Sequence, residues 1–476
     1  MDMNITHLLY SIQTLLTINC ICIMNLNKFK NVLPLALAAV FFVSCSDDDN
    51  APEIPMETET DIVDVAITDS NLSILVEALT EAELVATLQG NGPFTVFAPT
   101  NAAFEAFLAD NNFASLDDIP EETLKQVLLN HVVAGDVKAA DLETTYYSSS
   151  STAGVDGKNL SLYVNTMDGV TINGSSVATA DIEASNGTIH VVDKVIGLPN
   201  VVNHATYNSA FTELVGALTT DGNTVFTDLL SSTEQKFTVF APTNDAFTAF
   251  ENPSEYDLNA ILSNHVIVGA ALAAGDLSNS YANTAAVNED GDNLSIYVNT
   301  DDGVTLNGIS KVIIADVVTT NGIIHAVETV IDLPTVVTFA TADSENFSSL
   351  VGALTADGQP DFVSILSSTT ENNPFTVFAP LNSAFEALAE VPTGEDLTAV
   401  LTHHVIAEAN IVSGDLSDGL VSPATLQGDA LTFTASEETF VITDGAGNMG
   451  INIVKADVQA INGVIHAIDT VLIPGS

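Results

Sequence analysis

The chain contains no arginine and no tryptophan, and nine lysines stand against 62 aspartates and glutamates. The resulting net charge of −53 excludes a protein that grips nucleic acid, because nothing is available to neutralise a row of phosphates. It also disfavours docking on anionic lipid through a basic patch. Cysteine is equally scarce: Cys20, Cys22 and Cys45 are the full set, so beyond residue 45 there is neither a disulfide framework nor a Cys-based zinc site. No G-x-S-x-G elbow occurs, which removes the commonest serine-nucleophile signature. What remains is nevertheless a folded protein. Hydrophobic residues make up 46% of 476 positions and mean hydropathy is +0.32, enough apolar surface to offset chain entropy in packed cores. At about 150 residues per domain, that length predicts roughly three domains.

The first sixty residues read as address and tether. Residues 1–23 precede a better start at Met24 and are expected to be a mis-assigned upstream start. Residues 24–44 combine Lys28 and Lys30 with an apolar run, Val32–Val43, that is too short to span a bilayer. Ser44-Cys45 closes the run and resembles the lipobox of bacterial lipoproteins, which implies lipid on the Cys45 thiol and cleavage just before it; an ordinary secretory peptide is the plainer alternative. Residues 45–58 are acidic and lack periodicity, as a solvated tether would. An acidic run there resembles the surface-export tag of lipoproteins in Bacteroidetes-like bacteria, implying lipid-anchored display on the outer membrane's cell-surface side.

The rest is a triplication. FTVFAPTNAAF (Phe94–Phe104), FTVFAPTNDAF (Phe237–Phe247) and FTVFAPLNSAF (Phe375–Phe385) agree at nine of eleven positions, with spacings of 143 and 138 residues. A second signature ends in NHVV, NHVI and HHVI around His131, His265 and His404. A third begins at Asn186, Asn321 and Asn462 and carries His190, His325 and His466. These recurrences predict three tandem domains, 59–198, 199–334 and 335–474.

Each signature has a local physical reading. In the first, alternating apolar residues predict a strand covered on both faces, and Pro99, Pro242 or Pro380 is expected to end its ladder by lacking an N–H. Thr100 or Asn101 then caps a helix, as Thr243 or Asn244 does in the second copy; Leu381 replaces the threonine in the third, leaving Asn382 as the expected cap. In the second signature Leu124, Val127, Leu128 and His131 fall at i, i+3, i+4 and i+7, predicting a helix with the histidine on its apolar face. The third opens on Asn-Gly, a hairpin-turn pair, and further turns are expected at Asn173-Gly174 and Asn307-Gly308. One unit therefore reads as helices, a core strand, a helix, then hairpin strands: an α+β fold.

These three signatures together resemble the fasciclin domain, over nearly all of 59–474. The resemblance implies a two-sheet β wedge with helices packed around it, three times over. It implies a secreted or surface-attached protein that adheres to cells or matrix through weak contacts with proteins or polysaccharides, without enzymatic activity or a cofactor. The family's Tyr-His dipeptide is Asn130-His131, Asn264-His265 and His403-His404 here, so the histidine is kept and the tyrosine is lost.

Chemistry at the histidines is weighed against architecture. The pair in each domain is 59, 60 or 62 residues apart, and an acid follows the strand histidine by three, at Asp193, Glu328 and Asp469. In a strand that acid faces away, so a zinc site lacks its ligands and the histidines are expected to be hydrogen-bonded core residues. Acidic loops at Val287–Asn293, Asn299–Gly303 and Asn165–Gly169 suit diffuse association with divalent cations, and also suit plain hairpins. Tyr163 and Tyr297 recur in LSLYVNT and LSIYVNT, with Phe433 in the third copy, and are expected to fill core. Self-repulsion of so many carboxylates predicts saline surroundings, where screening is strong. The function expected is matrix or cell attachment through several weak modules, with membrane contact only through the lipid. The alternative is a module that binds a polymer or nutrient for an uptake or degradation partner.

Overall fold

The computed structural model describes residues 60–219, 224–369, 374–436 and 440–475; the leader, Cys45 and the tether lie outside them. Three seven-stranded sheets of identical topology follow one another. In the first, the strands are β1 (Phe94–Pro99), β2 (Val132–Ala134), β3 (Thr145–Ser148), β4 (Ser161–Asn165), β5 (Thr171–Ile172), β6 (Ser175–Ala184) and β7 (Gly187–Val192), ordered β2-β1-β7-β6-β5-β4-β3. The second repeats this as β8 (Phe237–Pro242), β9 (Val266–Val268), β10 (Ser280–Val287), β11 (Asn293–Asn299), β12 (Thr305–Leu306), β13 (Ser310–Val318) and β14 (Gly322–Val327). The third comprises β15 (Phe375–Pro380), β16 (Val405–Ala407), β17 (Val421–Ala424), β18 (Ala430–Ala435), β19 (Phe440–Thr443), β20 (Ile451–Ala460) and β21 (Gly463–Ile468). The architecture is α+β, as the sequence predicts.

Within a repeat the long strand β6 belongs to both halves of the sheet, pairing with β7 on one side and β5 on the other, with register shifts along its length. Such bulges bend and twist a strand, and here they divide the core in two. One cluster, including Leu75, Leu79, Phe104, Leu124 and Ile189, lies between the helices and β1–β7. The other, including Phe97, Leu162, Val164, Ile172 and Val192, lies between the sheet halves. The alternation of β1 explains the split, since Val96 and Phe97 supply opposite clusters.

Four local expectations are corrected. The strands end at Pro99, Pro242 and Pro380 as expected, but not for want of an N–H: Thr100 N–H still donates to Val192 O (3.2 Å), and the same holds after Pro242 and Pro380. The missing N–H lies on the β2 side, where pairing already stops at Val96, so nothing is left unbonded. The caps are Thr100 and Thr243, whose hydroxyls accept from Ala103 and Ala246, while Leu381 gives its helix no side-chain cap. Asn101, Asn244 and Asn382 instead tie that helix to an earlier one, two helices back in the chain. Asn101 Oδ1 accepts from Ile74 N–H and its amide donates to Ser70 O and Ser73 Oγ; Asn244 and Asn382 bond Glu213 and Ser349 in the same way.

The Asn-Gly of the third signature is not the turn. Ala184 pairs with Gly187, so Ser185-Asn186 form the loop and the glycine is already strand. Gly187 has φ 150°, and a Cβ there would lie 1.9 Å from Phe94 O: glycine is required by the close approach of β1. Asn173-Gly174 and Asn307-Gly308 are turns as expected, with both residues at positive φ.

Candidate functional site

The helix before each NHVV-type signature stops short of its histidine, which corrects the fourth expectation. The helix Glu121–Leu129 has Asn130 as its C-cap, and His131 lies just beyond. Its ring folds back so that Nδ1–H donates to Val127 O (2.7 Å), one of the carbonyls a helix end leaves unpaired, while Nε2 accepts from Ile196 N–H (2.8 Å). His265 joins Ile261 O to Ile331 N–H, and His404 joins Val400 O to Leu472 N–H, at 2.7–2.9 Å. Each imidazole clips a helix end to the last segment of its repeat. Burial holds all three to a pKa of about 4, so they are neutral at ordinary pH.

The strand histidines use the opposite tautomer. His190 Nε2–H donates to Val137 O (2.9 Å), and Nδ1 accepts from Asp181 N–H (3.3 Å). His325 and His466 repeat this with Leu272 and Asp316, and with Ile411 and Asp457. Their rings stack on Phe97, Phe240 and Phe378 at 5.5–5.7 Å. Asp181, Asp316 and Asp457 sit at positive φ in the long strand and accept from Ala139, Ala274 and Ser413 N–H, a role the sequence pattern does not signal. The acids three residues on serve elsewhere: Asp193 accepts from Ser176 N–H and Asp469 from Asn452 N–H. Among the described residues, no group of three or more His, Cys, Asp or Glu is placed to hold a metal.

Asn186, Asn321 and Asn462 are equally interior. Asn186 Oδ1 accepts from Ile62 N–H, and its amide donates to Leu88 O and Gly90 O, three bonds closing contacts about a hundred residues apart in sequence. The lost tyrosine position is also internal. Asn130 and Asn264 donate to Gly197 O and Asp332 O, and His403 bonds Thr425 Oγ1 and Gly445 N–H.

What faces outward from a repeat is the β3–β4 edge, and there the tyrosines act. Tyr146 and Tyr163 pair at 5.1 Å, and the Tyr146 hydroxyl accepts from Asn208 of the second repeat (3.0 Å). Val318 N–H donates to Ser161 Oγ (2.9 Å) across the same junction, and Val155 packs on Val318 and Ile323. The next junction is a copy. Tyr281 and Tyr297 pair at 5.0 Å, the Tyr281 hydroxyl donates to Asp343 Oδ2 (2.9 Å), and Gln459 N–H donates to Ser295 Oγ (3.0 Å). Tyr163 and Tyr297 are buried, as expected, but between repeats rather than inside one. Phe433 is not their counterpart: it aligns with Leu162 and packs on Phe378 inside the sheet. The tyrosine positions of the third repeat are Thr434 and, opposite it, Gly419, so this repeat lacks the tyrosine pair.

The second junction also holds a cleft of about 560 Å³, walled by Tyr281 and Tyr297 on one side and by Asp343, Glu345, Phe347, Leu381 and Lys455 on the other. Desolvation, with the charges of Asp343 and Glu345, pushes the Tyr297 hydroxyl up to about 12. The acidic loops are hairpins: Asn165 and Asn299 accept from Met167 and Asp301 N–H, and Asn288 accepts from Asp292 N–H.

Comparison with known proteins agrees with this architecture. The profile of the Fasciclin domain matches residues 70–199, 209–334 and 345–474. Protein sll1483 of Synechocystis is 42% identical over 136 residues, covering 28% of this chain and 72% of that protein. Transforming growth factor-beta-induced protein ig-h3 of Sus scrofa is 28% identical over 409 residues, 83% of this chain and 55% of its own length, so the chain spans about half of that relative. The cell surface glycolipoprotein MPB83 of Mycobacterium bovis is 30% identical over 135 residues, 27% of this chain and 56% of that protein.

Proposed function

The chain belongs to the fasciclin family, and from that premise we propose that it is a non-enzymatic attachment protein held at the cell surface by lipid on Cys45. Its three repeats, 59–198, 199–334 and 335–474, make weak multivalent contacts with matrix proteins, polysaccharides or neighbouring cells. The observation that carries this reading is where the polar chemistry goes. The six recurring histidines are buried and spend both ring nitrogens on main-chain groups of their own repeat. They therefore serve architecture, and they leave function to outer surfaces. Tyrosine joints hold those surfaces in a set spatial relation, which raises effective concentration for a second and third contact. A relative whose own name marks it as a surface glycolipoprotein supports the anchor and the outer location. No helix among the described residues is long and apolar enough to cross a membrane, and the attachment proposed is through the lipid.

The test is made on intact cells. Added protease should release fragments of the repeats, Cys45→Ala should shed the protein into the medium, and deletion of the chain should weaken attachment to a matrix-coated surface. Deleted cells that attach as well as their parent, on every surface and at every salt concentration tried, would overturn the reading.

A further inference from the structure

The cleft at the second junction carries chemistry that its sister junction lacks. Register aligns Lys455 with Ile314 and Leu381 with Thr243, and the first junction has Asn208 where the second has Asp343. Glu345 falls where the second repeat has only Ser209-Ala210, one residue shorter. A joint that only had to hold would have no use for these exchanges. Asp343 serves the joint itself, taking the Tyr281 hydroxyl and capping the helix that starts at Ser344. Glu345 and Lys455 do not: both are exposed, and neither side chain is in an ion pair among the described residues. The volume, about 560 Å³, falls within the range of small-molecule sites, about 300–1,000 Å³, which favour domain interfaces.

We propose that this cleft binds a segment of neutral saccharide; the inference rests on the attachment reading and gives it a ligand class and a place. A sugar hydroxyl both donates and accepts, so neighbouring hydroxyls use a carboxylate and an ammonium at once: Glu345 accepts, Lys455 donates, and the Tyr297 hydroxyl does either. The Tyr281 ring and the Leu381 side chain present an apolar wall to the C–H face of a pyranose. Charge decides against an anionic occupant. A uronate or sulfated chain meets Glu345, Asp343 and the field of a protein of net charge −53.

The experiment is retardation of the intact chain in native gels cast with dextran, laminarin, mannan or arabinogalactan, with alginate as the anionic comparison. At least one neutral polymer should retard the protein, and Lys455→Ile with Glu345→Ala should weaken that retardation about tenfold, as loss of charge-assisted hydrogen bonds predicts. Both side chains are exposed, so the doubly substituted protein should melt as the parent does. No retardation by any neutral polymer, equal retardation of parent and variant, or stronger retardation by alginate would each overturn the proposal. Cells carrying the double variant separate the two readings. If they attach normally while deleted cells do not, the cleft is wrong and attachment stands. If deleted cells attach normally, attachment is wrong and the gels alone judge the cleft.

Discussion

The two junctions between repeats are one joint made twice with different chemistry inside. Both seat a tyrosine pair on the first helix of the next repeat, and both close with a serine hydroxyl accepting a strand N–H. Under the tyrosines the first joint has His204, fully buried 5.8 Å from Tyr146 and 6.0 Å from Tyr207, its imidazole near the Ser161 main chain but without a well-aligned hydrogen bond at either ring nitrogen. The second joint has Phe339 in that place, 5.5 Å from Tyr281. A flat ring is what the packing demands; polarity is left free to vary. The comparison teaches that duplication conserves the shape of an interface more strictly than its charge, because overlap or a void is felt at once, whereas an unbonded imidazole is tolerated at the expense of stability.

The comparison is broken most severely by emptying the second joint. Phe339→Ala removes a fully buried ring and should lower the stability of the third repeat by about 3–5 kcal/mol, seen as a separate low-temperature transition in calorimetry. Next come the hydroxyls. Tyr281→Phe forfeits a bond to a buried carboxylate and should cost about 1.5–3 kcal/mol, whereas Tyr146→Phe, facing the Asn208 amide, should cost about 1 kcal/mol. Equal losses would show that the charge on Asp343 contributes nothing to the joint.

Acid sharpens the contrast further. Burial holds His204 at about 4 against an ordinary 6.5, so the folded state prefers it neutral. The stability this contributes is complete above pH 6.5 and is lost as pH falls from 6.5 towards 4; moving from pH 7 to 5 should remove about 2 kcal/mol. His131, His265 and His404 titrate in the same sense within their repeats, so the extra loss at the first joint is read by comparing the parent with His204→Phe at both pH values. That variant should shrink the acid shift of the second repeat by about 2 kcal/mol. At pH 7 it should gain about 1 kcal/mol, the smallest effect, because an unbonded buried polar ring is replaced by the residue its sister joint already uses. A destabilised His204→Phe would mean that the imidazole is bonded after all, and that the two joints differ less than their side chains suggest.

Much of the fold was legible from the chain. The FTVFAP strands, the helix stripes of Leu124, Val127 and Leu128, and the turns at Asn173-Gly174 and Asn307-Gly308 are local patterns, set by backbone geometry and apolar periodicity. The readings that failed share a feature: a polar side chain was assigned to its nearest backbone. Asn101, Asn244 and Asn382 sit where a cap is wanted, yet bond a helix two back in the chain. Asn186 precedes a glycine as in a turn, yet joins the helix at Ile62 to the loop after Leu88. His131 continues the helical stripe by spacing alone, because a ring that caps the last turn from outside occupies almost the same direction as one inside it. The tyrosines of the joints carried one usable signal, their recurrence at matching positions in the first two copies, Tyr163 and Tyr297, where the third has Thr434.

By itself the sequence determined that one module was written three times, that each copy alternates strand and helix in a given order, and that acidic charge covers what the cores do not absorb. Only the tertiary structure decided which amide meets which carbonyl, that the imidazoles take opposite tautomers in the two signatures, and that the second joint opens where the first does not carry charge. The reason is range. Periodicity and turn chemistry act over a few residues and are printed in the chain, while a buried hydrogen bond is set by whichever group the packed core brings within about 3 Å, here from as far as 164 residues away.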